Sequence, residues 1–206
     1  MPITIKTKKD IENMRIAGQK AAAVLNMLDQ YVVPGITTEE LDKIAFDYIT
    51  RDLKCIPANV GYNGYPKTLC TSLNSVICHG IPSETQTLKD GDILNIDVTV
   101  IENKWHGDTS KMYAVGKIQN FAKRLIDVTQ ECMYQGIKKV RPGEKLGTIG
   151  SAIQKHAENN HYSVVRDYCG HGIGKVYHEE PQVLHYGNPG EAVSYTHLRA
   201  HETSRN

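Results

Sequence analysis

The sequence predicts an α+β fold built from two similar halves, of which the second is incomplete. In each half a helical segment ends before a Pro-Gly pair, at 34–35 and 142–143, and the apolar positions after each pair fall in the same phase. A helix, a strand and a His-Gly pair then follow in both halves. This repeated order is typical of a duplication packed about a pseudo-twofold axis. Only the first half continues into an acid-bearing hairpin, so the second half looks unfinished.

Two amphipathic helices open the first half. Thr7 and Asp10 have the form of a capping box, and apolar residues at helical spacing follow as far as Leu28. Residues 37–40 (TTEE) begin a second helix, whose apolar side extends to Ile49. Both segments therefore carry a start signal as well as the correct period.

The remaining elements are predicted from β-prone runs and from helical spacing. A Gly- and Pro-rich loop at 57–66 leads to a predicted strand at 68–78. In the second half, residues 121–140 and a segment around 149–157 are predicted as helices, and a strand is expected from Ser163 up to the next His-Gly pair.

The hairpin raises the functional question. Residues 93–101 alternate between apolar and polar, a second β-prone run covers 105–115, and the reversal lies at 102–104. The two runs contain Asp97 and Asp108, although acidic residues normally avoid strand interiors. A loop of two or four residues would place both carboxylates on one face of the sheet. A loop of three residues would place them on opposite faces, unless a β-bulge shifts one strand by a residue.

Two neighbouring carboxylates repel each other if both are ionised, so either one takes a proton or a cation lies between them. The other side chains on this face are also polar: Asn95, Thr99, His106 and Ser110. The hairpin alone therefore fits a metal or acid/base site and a solvent-exposed polar face equally well.

Composition limits the possible classes of protein. The chain has 206 residues and a net charge of +1, which predicts one domain and indicates no basic face for nucleic acid. No apolar run has membrane-spanning length, and the N-terminus lacks a signal-peptide pattern. The five cysteines are scattered without a CxxC pair, which favours reduced thiols in a cytoplasmic protein.

Three histidines differ in their sequence contexts. His171 lies between Gly170 and Gly172, and the missing side chains let a ligand or metal approach the backbone. A functional role is therefore favoured for His171. His79 follows an apolar run, where a structural role is the usual one, and His178 precedes acidic residues that fit a solvated loop.

Five segments together resemble the type I, bacterial kind of methionine aminopeptidase: GYNGYPKT (61–68), CHGIP (78–82), GDILNIDVTV (91–100), HGDTSKMY (106–113) and YCGHGIGKVYHEEPQV (168–183). The resemblance extends from about residue 3 to about residue 190. It implies the pita-bread fold and a metal-dependent aminopeptidase that removes the initiator methionine from nascent proteins, through a water activated by a dinuclear metal centre.

The resemblance also implies roles for particular residues. In that family two Asp, one His and two Glu hold two divalent ions, and Asp97, Asp108 and His171 match the first three ligands, with Asp108 bridging. His79 and His178 match the catalytic, substrate-contacting histidines. The expected substrate pocket comprises Tyr62, Tyr65, Cys70 and Tyr177, together with those two histidines. Tyr177 stands where the family usually has Phe.

The sequence departs from the family pattern after Gly190. The expected Gly-Met strand, the Ile-Glu-Pro segment and the final Glu have no counterpart there. Residues 1–190 are therefore interpreted as an incomplete catalytic domain, and 191–206 as a non-native or out-of-frame tail. The activity of such a chain is expected to be impaired, since two of the five ligands are missing.

The resemblance further implies Co, Mn, Fe or Zn as the metal and nascent polypeptide N-termini as the partner. Transient ribosome association, a monomeric state, a cytoplasmic location and no binding to nucleic acid or membrane are also expected. Two alternatives are a proline-specific pita-bread peptidase and a catalytically inactive binding module with the same fold.

Overall fold

The structure, a computed structural model, describes residues 3–190. These residues form two compact units. One consists of Thr4–Lys123 and Ile173–His178, and the other contains Arg124–Gly172 and the described residues from Glu179 onward. Within the described range, none of the helices has both the length and the apolar character needed to cross a membrane.

The first unit opens with the two predicted helices, α1 (Lys8–Leu28) and α2 (Thr38–Asp47). Each begins with a complete capping box, in which a threonine hydroxyl accepts a backbone N–H and an acidic side chain three residues on accepts the threonine N–H. The capping box predicted at Thr7 is confirmed, and α2 begins within the predicted segment 37–40. A short π-helical turn, Tyr48–Asp52, follows α2 directly.

A four-stranded antiparallel sheet lies next in the same unit. Its strands are β1 (Ile56–Pro57), β2 (Leu69–Leu73), β3 (Ile93–Glu102) and β4 (Trp105–Ala114). Strand β3 is central, with β4 along one edge and both β1 and β2 along the other. Strand β3, which carries Asp97, therefore has hydrogen-bonded neighbours on both sides, whereas β4, which carries Asp108, pairs with β3 alone among the described strands.

The apolar face of the sheet packs against the helices. The β3 side chains on this face are fully buried: Leu94, Ile96, Val98 and Val100. They belong to one core cluster with residues of α1 and α2, including Val24, Leu28 and Leu41. The alternation predicted for β3 is confirmed, and it leaves the face with the acidic residues directed away from this core.

Gly107 marks the closest approach between α1 and β4. A Cβ atom added at Gly107 would lie 2.2 Å from the backbone carbonyl of Ala17. We expect Gly107→Ala to lower the free energy of unfolding by about 1–3 kcal/mol, because backbone atoms cannot move aside as a flexible side chain can. Urea unfolding measures this change.

Gly18→Ala is the matched control, one residue further along α1. A Cβ atom there meets nothing within 4 Å, so the substitution is expected to stabilise the helix by up to about 1 kcal/mol. Equal stability of the Gly107→Ala variant and the parent would contradict the close packing of α1 on β4.

The second unit has a smaller core. It contains most of α3 (Asn120–Ile137), α4 (Leu146–Asn159) and a two-stranded sheet of β5 (Gly170–Gly172) and β6 (Glu179–Val183). Its core cluster consists of three buried residues, Val128, Cys132 and Ala157, against which the partly buried Ile153, Tyr162 and Val164 pack. Gly136 allows the two helices to pack closely, since a Cβ there would lie 2.9 Å from the Ile153 Cδ1 atom.

Two predicted strands differ from the structure. The strand expected at 68–78 ends at Leu73, because Asn74 adopts a left-handed conformation with φ of 52° and its side chain bonds to Asp92 and to the backbone N–H of Ile93. The strand expected from Ser163 to the His-Gly pair begins only at Gly170. In the described chain, residues 163–169 are not part of a strand, and β5 consists of Gly170–Gly172.

Candidate active site

The β3–β4 reversal determines where the two carboxylates lie. Glu102 pairs with Trp105, so the loop consists of Asn103 and Lys104 alone. Both loop residues have positive φ, 48° and 72°, as a tight two-residue hairpin turn requires. The two-residue alternative from the sequence is therefore the one that the structure adopts.

The register then places Asp97 and Asp108 on the same face of the sheet. Asp97 pairs with Ser110, and Asp108 pairs with Thr99, so the acids are diagonal neighbours. Such neighbours lie roughly 7–8 Å apart at their backbones, within reach of a shared small ligand. On the other side of β3, Cys70 pairs directly with Asp97 and so shares the same face.

The Asp108 carboxylate is anchored at one oxygen. The Thr99 hydroxyl donates to its Oδ1 atom at 2.9 Å, and Thr99 is fully buried. A rigid strand pair with a fixed hydrogen bond limits the rotamers of the acid, which suits a carboxylate that has to hold a cation.

The pair of carboxylates offers hard oxygen donors of the kind that divalent ions prefer. Within residues 3–190, however, no group of three or more His, Cys, Asp or Glu side chains has an arrangement that could hold a metal ion. The described residues thus supply an acidic pair suited to part of a metal site, and the complete ligand set stays a prediction.

His171 lies in the second unit, on β5 opposite Gln182. Its Nδ1 atom is 2.8 Å from the carbonyl oxygen of Gly172 and therefore carries the donated proton. In the neutral ring, Nε2 then holds the lone pair, which is the usual state of a metal-binding imidazole. The chemistry of His171 fits the predicted role, which the structure leaves as a prediction.

His79 has an unusual backbone conformation. Its φ of 57° lies in the left-handed region, which costs energy for a residue with a side chain and is often found at functional sites. The next residue, Gly80, accepts a hydrogen bond from the N–H of Thr71 at 2.7 Å. The segment is therefore held against β2, although it does not continue a strand as the sequence predicted.

Aromatic side chains surround His178 in the first unit. Its ring stacks on that of Tyr177, with centroids 4.4 Å apart, and its Nδ1 atom lies 2.7 Å from the Tyr62 hydroxyl oxygen. Tyr62 and Tyr177 are also in contact, at 4.8 Å between centroids. The predicted pocket residues Tyr62, Tyr177 and His178 thus form one group.

Cys70 lies in β2, and Tyr65 precedes that strand and contacts its first residue. The Tyr65 hydroxyl is within hydrogen-bonding distance of the carbonyl oxygens of Leu69 and Gly80, at 2.8 and 3.0 Å. Burial, with a smaller contribution from the nearby Asp97 carboxylate, raises the pKa of the Cys70 thiol to about 12. A neutral thiol at this position suits a pocket wall and disfavours a role as a nucleophile.

Three residues that contact the predicted site residues Tyr177 and Asp108 were not identified as part of the site from the sequence. Asn59 accepts a hydrogen bond from the Tyr177 hydroxyl at 2.8 Å, Thr99 bonds to Asp108, and the His106 ring stacks on Tyr177 at 5.5 Å. The parity of the hairpin could have indicated Thr99 and His106, which share the face of the acids. No signal in the sequence connects Asn59 with Tyr177.

Comparison with known proteins identifies the family. The sequence profile of metallopeptidase family M24 matches residues 12–202. A methionine aminopeptidase of Salmonella typhimurium is 60% identical over 186 residues, which cover 90% of this chain and 70% of that protein. The crystal structure of methionine aminopeptidase from Rickettsia prowazekii is 52% identical with a TM-score of 0.91 and covers 93% of this chain and 77% of its own.

The corresponding enzyme of Thermotoga maritima is 37% identical, with a TM-score of 0.90 over 93% of this chain and 77% of its own. The chain therefore belongs to metallopeptidase family M24. Within that family it belongs with the bacterial methionine aminopeptidases, and the pita-bread fold expected from the sequence is confirmed. Membership in a metallopeptidase family implies a divalent metal cofactor and a peptide substrate.

Proposed function

We propose that this chain is the metal-dependent aminopeptidase of its family, and that it removes the initiator methionine from the N-termini of nascent polypeptides. The observation that carries the proposal is the sheet register that makes Asp97 and Asp108 diagonal neighbours on one face, beside Cys70. The 60% identity to a methionine aminopeptidase supports the substrate, and it disfavours a proline-specific peptidase.

In the proposed metal centre, Asp97, Asp108 and His171 would hold two divalent ions, and Asp108 would be the ligand shared between them. When bound, such ions lower the pKa of a coordinated water and polarise the scissile carbonyl. The chain's own contribution is to hold the two carboxylates at a fixed separation on adjoining strands, and to present His171 with its Nδ1 proton donated to a backbone carbonyl.

His79 and His178 are proposed to contact the substrate. An imidazole N–H directed at the scissile carbonyl would stabilise the negative charge that develops on its oxygen. The hydrogen bond between Tyr62 and the Nδ1 atom of His178 fixes the ring orientation. Tyr65, Cys70 and Tyr177 would form the wall that receives the methionine side chain, and their neutral protonation states suit an apolar ligand.

The setting of the reaction is also a proposal. The near-neutral charge and the scattered thiols fit a cytoplasmic monomer that associates transiently with ribosomes, without binding nucleic acid or membranes. Residues 1–190 are proposed as the catalytic domain. Residues 191–206, interpreted from the sequence as a foreign tail, lie outside the described residues.

The direct test is release of methionine from Met-Gly-Met with added Mn²⁺, Co²⁺ or Fe²⁺. Two proteins are compared: the 206-residue chain, and a chimera in which residues 1–190 continue with the C-terminal part of the Salmonella typhimurium enzyme. The chimera is expected to release methionine, and the chain alone to do so far more slowly, because the resemblance implies two further Glu ligands. Chelation should abolish release, and added metal should restore it.

Acetyl-Met-Gly-Met is the matched control substrate, since its blocked amine is expected to prevent cleavage. Cleavage of Met-Pro without cleavage of Met-Gly-Met would support a proline-specific peptidase instead. If the chimera binds Mn²⁺ in a calorimeter but cleaves none of these peptides, the chain is a binding module and the proposed activity is wrong.

A further inference from the structure

The Tyr177 hydroxyl lies at the centre of a buried hydrogen-bond network. The Thr99 hydroxyl donates its one proton to Asp108 Oδ1 at 2.9 Å. Tyr177 is therefore the donor in its 2.6 Å contact with the Thr99 oxygen, and it shares the same proton with the Asn59 Oδ1 atom at 2.8 Å. Tyr177 is therefore connected to the bridging carboxylate through a single intervening side chain.

Both ends of this network are fixed. Asn59 is buried, and its amide nitrogen donates to the backbone carbonyl of Thr68 at 2.9 Å, which leaves the amide oxygen directed at Tyr177. At the other end the acceptor is a carboxylate, and hydrogen bonds to ionised acceptors are stronger than those between neutral groups. A network anchored on both sides limits the movement of Tyr177 and Thr99.

The same tyrosine also contacts the aromatic group around His178. Its ring stacks on the His178 ring at an interplanar angle of 21° and on the His106 ring at 17°. Tyr62, which bonds to His178, completes the group. One side chain thus joins the carboxylate on β4 to the histidine proposed to contact the substrate.

The hydroxyl is a feature of this chain, since the family resemblance leads us to expect Phe before the second catalytic histidine. Phe could supply the ring contacts but not the link to Thr99. We propose that Tyr177 is a positioning residue that holds the Asp108 carboxylate in its metal-binding orientation through the Thr99 hydroxyl. This inference rests on the proposed function of Asp108 as a metal ligand.

The test measures Co²⁺ affinity, by the absorption of the bound ion and by calorimetry, in the 206-residue chain and in the chimera. Loss of a residue that orients a metal ligand typically weakens metal binding by about 10–100-fold. We expect Thr99→Val to fall in this range, and Tyr177→Phe to weaken binding about tenfold, at its lower end. Thr99→Ser keeps the hydroxyl and should restore the affinity.

The double variant Tyr177→Phe/Thr99→Val should bind Co²⁺ no more weakly than Thr99→Val alone, because Tyr177 acts through Thr99. Tyr113→Phe is the matched control. Tyr113 is also buried, and its hydroxyl donates to the Leu25 carbonyl at 2.8 Å on the other face of the sheet. Its loss is expected to leave the Co²⁺ affinity unchanged.

Unchanged Co²⁺ affinity in Tyr177→Phe, with an altered KM for Met-Gly-Met, would show that Tyr177 only shapes the pocket and would overturn the inference. Losses of Co²⁺ affinity that add up in the double variant would also overturn the inference, because Tyr177 would then act independently of Thr99. If the unaltered chimera binds no Co²⁺, the proposed function fails together with this inference. If the unaltered chimera binds Co²⁺ but the variants do not show the expected changes in Co²⁺ affinity, the inference alone fails.

Discussion

Asp108→Asn in the chimera is expected to reduce methionine release by at least about 10³-fold, which corresponds to about 4 kcal/mol of lost transition-state stabilisation. The amide has nearly the same shape as the carboxylate, and its oxygen can still accept the hydrogen bond from Thr99. The fold should therefore survive, while the negative charge that holds the cation is lost. The measurement is kcat/KM for Met-Gly-Met with saturating Mn²⁺.

Asp29→Asn supplies the matched control for this charge change. Asp29 forms an exposed ion pair with Lys111, at 2.6 Å, and exposed pairs contribute little to stability. Activity within about twofold of the parent is expected for this variant. If Asp108→Asn keeps substantial activity while its thermal unfolding matches that of the parent, the bridging role of Asp108 is wrong.

The features predicted correctly from the sequence depend on local rules. Both capping boxes use side chains three residues apart, so the start of each helix is encoded in a short segment. The face on which Asp97 and Asp108 lie depends only on the length of the reversal, which the sequence left open between two or four residues and three. The structure shows a reversal of two residues, which places both acids on one face.

The errors arose where a strand needed a partner distant in the sequence. Val76 and Ile77 have β-prone side chains, yet they lie exposed beyond the end of β2 because Asn74 turns the chain away from β3. The segment before β5 failed for the same reason, since pairing in the described chain involves only Gly170–Gly172. Propensity marks a possible strand, but the neighbouring strand decides whether it forms.

The network around Tyr177 shows the same limit within the site. Asn59 and Tyr177 are 118 residues apart in sequence, and no periodic pattern connects them. The resemblance indicated Tyr177 as an exception to a family pattern. Only the structure shows that its hydroxyl contacts Asn59 and Thr99 instead of pointing into an apolar pocket wall.

The second large effect concerns Asp42, a buried carboxylate on α2. Its Oδ1 atom accepts backbone hydrogen bonds from Thr68 at 2.8 Å and from Leu69 at 2.7 Å, where β2 begins. Asp42→Leu removes this acceptor and leaves two buried N–H groups without it, at about 1–3 kcal/mol each. We expect the free energy of unfolding to fall by about 2–6 kcal/mol, measured by urea unfolding.

Asp42→Asn separates the acceptor from the charge. The amide keeps an oxygen for both N–H groups, so most of the stability should be retained. Burial raises the pKa of Asp42 above its ordinary value of 3.8, against the lowering effect of the two backbone hydrogen bonds. The folded state thus binds the Asp42 proton more tightly than the unfolded state. The stability that protonated Asp42 adds to the folded state is therefore fully present below pH 3.8. It is lost as the pH rises through the folded-state pKa.

Relative to Asp42→Asn, the parent should therefore be most stable in acid and should lose that advantage as pH rises. Urea unfolding of both proteins between about pH 3 and pH 7 measures the difference, which isolates the titration of this one carboxyl. A difference that grows with pH would mean that the hydrogen bonds from Thr68 and Leu69 outweigh the effect of burial. Because Leu69 is followed by Cys70, which pairs with Asp97, the Asp42→Leu variant should also lose metal affinity, whereas Asp42→Asn should keep it.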